Sequence, residues 1–144
     1  MNIDSRRIVN LKSETRLLFG QRTSVRWNSP GPDDEFMIER IILSNAHTKF
    51  GAADWVINDI LIDGKSQLEF VVEGEVHPRG WKELPGALFS AGGGRSIMVL
   101  LGGLDVVRAK MDLTLVVTYV GTNEDGCPFY GSAIGVAPPA RASS

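Results

Sequence analysis

Side chains with the widest chemical repertoire are scarce in this chain: two histidines, His47 and His77, and one cysteine, Cys127, among 144 residues. His77 follows Glu73 and Glu75 at alternate positions, so on a strand the three share a face. Two carboxylates with an imidazole are a possible cation-binding set, and His47 and Asp54 could join it from elsewhere in the fold. The same composition is also what the wet face of a half-exposed strand carries, and no His-x-His spacing reinforces the metal reading. Cys127 precedes Pro128 in no nucleophile signature. No Gly-x-Ser-x-Gly elbow occurs, and the carboxylates are too scattered to nominate an acid–base pair. Gly92-Gly93-Gly94-Arg95-Ser96 invites a phosphate-loop reading but lacks the Gly-Lys-Ser/Thr ending and a helical pattern after it. Asp59 and Asp63-Gly64 faintly echo a calcium loop, yet Ile60-Leu61-Ile62 stands where alternate ligands belong, so Asp63-Gly64 reads as a turn. The expectation is a chain with no catalytic, cofactor-binding or metal-binding residues and no cofactor: not an enzyme.

Binding chemistry leaves one more candidate. Tryptophans exposed on a β-sandwich can stack on a pyranose ring, and the chain has Trp27, Trp55 and Trp81. Trp55 and Trp81 are the residues that a carbohydrate-binding module would use. Each of the three lies beside apolar or turn residues, where burial in a core or interface is the commoner fate. Tyr119, Phe129 and Tyr130 read as cross-strand packing partners.

Charge is distributed unevenly. The whole chain carries 15 basic and 17 acidic residues, a net charge of -2 that argues against a general nucleic-acid binder. Residues 1–26 hold six basic side chains (Arg6, Arg7, Lys12, Arg16, Arg22, Arg26) against Asp4 and Glu14, a net of +4. The remaining 118 residues hold nine basic and fifteen acidic, a net of -6. A basic arm or first strand ahead of an acidic body suits self-assembly, the arm of one copy lying on the body of a neighbour. A solvated strand and a non-specific phosphate contact are the other readings. At the far end, Ala137 to Ser144, with Pro138 and Pro139, reads as an extended tail. The lone cysteine excludes a disulfide framework within the chain and fits a reducing compartment. No apolar run approaches the ~20 residues of a membrane helix, and no signal-peptide core is visible, so a soluble chain made in the cytoplasm is expected.

The elements that would position these groups read as strands. From Val107 to Tyr119 every odd position is apolar, while Arg108, Lys110, Asp112 and Thr114 lead the even face. Leu68, Phe70, Val72 and Val76 alternate in the same way with Glu69, Glu73, Glu75 and His77. Phe36–Leu43 and Trp55–Ile62 are apolar on both faces, which predicts strands held between two layers or against a partner. Asn28 to Asp33 and Asp63-Gly64 supply turns, and Arg95–Leu101 is a further apolar run fenced by glycines. Gly121–Gly126 reads as a loop or hairpin connection ahead of Cys127–Tyr130. Ser13–Gly20 suits a short helix, though Ile8-Val9 and Leu17-Leu18-Phe19 equally suit strands. Six to eight short strands without a 3.6-residue period predict an all-β, antiparallel two-sheet β-sandwich. The expected organisation is a basic N-terminal arm or first strand over 1–26, a sandwich over 27–136 and a Pro-rich tail over 137–144.

Leu113-Thr114-Leu115-Val116-Val117-Thr118-Tyr119-Val120-Gly121-Thr122-Asn123, with Gly126, Phe129-Tyr130-Gly131-Ser132 and Ile134-Gly135 after it, resembles the closing strands of small jelly-roll virion proteins of tailed bacteriophages. Asp54 to Gly64 has the same character, and the likeness spans about half the chain as pattern rather than signature motif. The resemblance implies a jelly-roll-like sandwich and a structural subunit of the virion, a capsid cement or decoration protein or a minor capsid component. Its partners would be the major capsid protein or other virion subunits, with a homo-oligomer, in first place a trimer, and neither membrane nor specific nucleic acid. Arg6, Arg7, Arg16, Pro138 and Pro139 are the expected inter-subunit contacts.

Overall fold

A computed structural model of the chain describes residues 6–43, 52–72, 75–78, 84–89 and 103–138. Ten strands make up the described fold: β1 (Arg6–Leu17), β2 (Arg22–Asn28), β3 (Met37–Leu43), β4 (Trp55–Ile62), β5 (Lys65–Ser66), β6 (Glu69–Val72), β7 (Glu75–Pro78), β8 (Leu84–Pro85), β9 (Asp112–Tyr119) and β10 (Cys127–Val136). One sheet has the order β1-β10-β3 and the other β2-β9-β4-β5, with β8 also on β4. The first two strands thus pair with the last two in reverse, β1 on β10 and β2 on β9, as one long ribbon folded across two layers. That is a jelly-roll order. The sandwich encloses one apolar core in which Phe36, Ile41, Leu113, Leu115, Tyr119 and Phe129 are fully buried.

Both strands that are apolar on two faces owe the pattern to a β-bulge. In β3, Ile134 pairs with Arg40 but Gly135 pairs with Ile38, so Glu39 is an extra residue. In β4, Ile57 pairs with Val117 but Asp59 with Val116, so Asn58 is extra. An extra residue reverses the in–out phase of a strand. Hence Ile38 points inward before the first bulge and Ile41 and Leu43 after it, while Trp55 and Ile57 precede the second and Ile60 and Ile62 follow it. Each strand therefore feeds one core throughout, and its apparent second apolar face is a change of phase. The β4 bulge is braced by its own side chains. Asn58 Oδ1 accepts from Thr118 Oγ1 at 2.5 Å, and Asp59 Oδ1 accepts from Ser66 Oγ at 2.7 Å and from the Ile60 N–H at 2.8 Å.

Other expectations are revised by local geometry. Residues 13–20 contain no helix: β1 continues to Leu17, with a register shift between Lys12 and Arg16. There the Ser13 hydroxyl accepts from the Phe129 N–H at 2.9 Å and donates to the Thr15 carbonyl at 2.7 Å, standing in for the interrupted ladder. The long alternation from Val107 is a strand only from Asp112. Val107 makes an isolated bridge with Phe36, and Lys110 turns the chain at φ 70. Glu69–Pro78 holds two paired strands instead of one, and of the loop or hairpin expected between β9 and β10 the structure has the loop, which crosses between sheets. Asp63-Gly64 is the expected turn, with both residues left-handed at φ 53 and 76 between paired Ile62 and Lys65. The runs 92–96 and 95–101 lie outside the described residues.

At the β3 bulge the two backbones close on each other, and a Cβ on Gly135 would overlap the Met37 carbonyl oxygen. Gly135→Ala is expected to cost roughly 1–3 kcal/mol, the usual range for forcing atoms into a packed site. Gly31→Ala, where nothing lies within 4 Å, is the control. Equal urea midpoints for the two variants would refute this account of the bulge.

Candidate functional site

The chain leaves β1 through a turn over Leu18–Gln21 and leaves β9 through a loop over Val120–Gly126, and the two connections meet at one end of the sandwich. The turn is closed by the Gln21 N–H donating to the Leu18 carbonyl at 2.9 Å, with Gly20 left-handed at φ 82. Gln21 Oε1 also accepts from the Leu18 N–H at 2.8 Å. Tyr119 ties this turn to the body. Its carbonyl accepts from the Gly20 N–H at 2.7 Å, and its N–H donates to the Gln21 carbonyl at 3.1 Å. Its phenol oxygen accepts from the Asn123 N–H at 3.1 Å, fixing the neighbouring loop as well. Asn123 closes that loop on itself by donating to the Gly126 carbonyl at 2.7 Å, and Arg16 reaches the same carbonyl at 3.3 Å.

This bracing presents apolar side chains to solvent. Phe19, at the tip of the turn, is 73% exposed, Leu18 is 48% exposed, and Val120, at the start of the other connection, is 36% exposed. Leu18 and Phe19 form one wall of an open groove of 580 Å³ whose other wall is Gly121, Thr122, Asn123 and Glu124. An exposed phenylalanine on a turn held by four backbone and side-chain hydrogen bonds is a preformed apolar anchor. Sequence reasoning missed it for a definite reason. In-phase extension of β1 past Leu17 points Phe19 inward, and only the turn at Gly20 reverses it.

Along the side of the sandwich that runs away from this corner, β1 and β2 are the outer strands of their two sheets. Residues 6–26 carry six basic side chains against Glu14 alone, a net of +5 in sequence, of which Lys12, Arg16 and Arg22 are exposed and Arg26 pairs with Asp112 at 3.7 Å. From Arg6 onward the basic segment forms the first two strands of the sandwich. Val9, Leu11 and Leu17 drive that result by pointing into the core. Arg7 shares their phase, and its Nε is buried without a hydrogen-bond partner among the described residues, so it faces the sandwich interior. Arg16 is exposed at the corner. Arg6 is described by its backbone alone. Pro138 is half-buried just beyond β10, and Pro139 lies outside the described residues.

The other candidates disperse. Trp55 is 2% exposed and packs at 5.1 Å from both Tyr119 and Phe129, so it offers no ring face to a sugar. Burial against two aromatics is the physical reason, and it removes the one described residue of the carbohydrate reading. Trp27 is half-buried edge-on to Phe36, while Trp81, Glu73 and His47 lie outside the described residues. Glu75 and His77 both belong to β7, and no group of three His, Cys, Asp or Glu side chains is placed to hold a metal among the described residues. Cys127 is buried in the core. No helix among the described residues is long and apolar enough to cross a membrane.

In comparisons with known proteins, no family model matches the sequence, no curated protein matches it, and no solved structure matches the fold. The site's own geometry therefore has to carry the functional reading.

A variant retaining Trp55 alone, with Trp27 and Trp81 replaced by Phe, is expected to emit at short wavelength and to resist acrylamide quenching. Oligosaccharides should leave that emission unchanged. Free quenching of Trp55 would contradict its placement in the core.

Proposed function

We propose that this chain is a non-enzymatic structural subunit of a virion, one that stabilises or decorates a capsid through contacts between subunits made at the β1–β2 corner. The observation that carries the docking role is the exposed Leu18–Phe19 lip on a hydrogen-bonded turn. Such a lip gains most when another surface covers it: burying one large apolar side chain contributes about 1.5–3 kcal/mol. The basic side next to it adds long-range attraction for an acidic neighbour, which speeds encounter and sets orientation more than it adds affinity. The capsid setting is supported by the resemblance of the closing strands and by the sandwich fold, a warrant by analogy. Closed symmetric oligomers are the usual outcome for such subunits, with a trimer as the first candidate.

Light scattering on the purified chain is the direct check. The wild type is expected to run above monomer mass, and Phe19→Asp to weaken association by at least ~10-fold, in line with the loss of one buried aromatic anchor. Because Phe19 is 73% exposed, the same variant should unfold within about 0.5 kcal/mol of wild type. A wild type that stays monomeric at every concentration, or an unchanged Phe19→Asp assembly, would overturn the reading.

A further inference from the structure

We propose that copies of this chain join head to tail through a short proline-rich segment, residues 138–141 of one copy seating Pro139 and Arg141 in the groove between Phe19 and Glu124 of the next. The inference rests on the assembly reading above and names the occupant of the corner as a second copy of the chain.

Three observations point to it. The first is the make-up of the groove. One wall is the apolar pair Leu18 and Phe19, and the other runs from Gly121 to Glu124. Glu124 and its neighbour Asp125 are exposed, and neither is in an ion pair among the described residues. Arg16, the nearby cation, is engaged with the Gly126 carbonyl at 3.3 Å. An aromatic wall opposite a carboxylate suits a proline-rich strand that carries a cation: the proline ring lies on the aromatic face, and the cation pairs with the carboxylate.

The second observation is the segment. Pro138-Pro139-Ala140-Arg141 supplies both groups, and Arg141 is the one charged residue among 137–144. Consecutive prolines fix φ near about −65° and favour the extended polyproline conformation. A segment already restricted in this way loses little freedom on docking, so a short contact is enough to hold it. Pro138, half-buried just beyond β10, stiffens the departure of the segment from the sheet.

The third observation is reach. β10 carries the chain from Cys127, opposite Leu17 beside the groove, to Val136, opposite Arg6 at the far end. The nine steps from 127 to 136, at about 3.3 Å each, separate the two ends by roughly 30 Å. From Val136 to Arg141 a fully extended backbone spans at most ~18 Å. The segment therefore falls short of the groove of its own molecule and is available to another. A groove at one end and its occupant at the other make a heterologous contact, which closes into a ring or continues as a filament. Each contact is weak alone, and repetition around a ring or along a shell raises its effect.

Charge exchange in the whole chain tests this. Arg141→Glu and Glu124→Arg are each expected to weaken association about 5-fold or more in light scattering, through loss of an exposed ion pair and gain of a like-charge contact. Glu124→Arg/Arg141→Glu in one chain is expected to restore it. A 1:1 mixture of Phe19→Asp, which keeps its segment, with Pro139→Gly/Arg141→Glu, which keeps its groove, is expected to stop at the mass of a dimer, because one productive contact remains. Either single reversal assembling like the wild type, a double variant as weak as the singles, or a mixture that grows past a dimer overturns segment docking. If assembly survives both reversals but not Phe19→Asp, segment docking fails and the corner reading stands; a monomeric wild type overturns both.

Discussion

The aromatic contact between Trp55, Tyr119 and Phe129 is the constraint on which the rest of the described fold depends. Trp55 and Tyr119 come from adjacent strands of one sheet and Phe129 from the other, and the rings meet at centroid distances of 5.1 Å, tilted by 55° and 83°. Edge-to-face and tilted geometries of this kind add to the area that the rings bury, and they fix the two layers in depth and direction. Tyr119 converts that packing into backbone order. With its ring locked in the core, its own N–H and C=O hold the β1–β2 turn and its phenol oxygen holds the β9–β10 loop. Gly121 follows as a requirement, because a Cβ there would stand 2.5 Å from the phenol oxygen. The exposed lip is thus rigid for a reason that lies in the interior.

The bulges solve a related problem. β9 and β10 keep a strict period of two along their whole length, whereas β3 and β4 change phase part-way and still feed the same core. A single extra residue, Glu39 or Asn58, bends the strand and resets its phase. The cost is a local loss of ladder hydrogen bonds, and neighbouring groups offset it: Asp59 and Ser66 at one bulge, Ser13 at the β1 register shift. The same device sets which stretch of edge stays regular. β1 keeps a regular register against β10 from Arg6 to Lys12 and shifts between Lys12 and Arg16, towards the Phe19 corner.

How much of this was legible in the sequence varied with the range of the forces involved. The alternation of Leu113, Leu115, Val117 and Tyr119 announces a half-buried strand, and Asp63-Gly64 announces a tight turn, because each depends on local stereochemistry alone. The positive excess over 1–26 is likewise a matter of composition. The sandwich class follows from many short strands and no helical period. Trp55 was ambiguous because its neighbours allow either a core or a platform, and only Tyr119 and Phe129, distant in sequence, settle it.

By itself, then, the sequence determined the all-β sandwich, the Asp63-Gly64 turn and the sign of its N-terminal charge, all of which rest on neighbours a few residues apart. Tertiary structure alone decided that the basic segment forms two outer strands, that Arg7 points inward while Phe19 points out, and that bulges fold two-faced strands into one core. Those outcomes depend on which strands lie side by side and on a phase that one inserted residue reverses, and pairing across a hundred residues leaves no local mark in the chain.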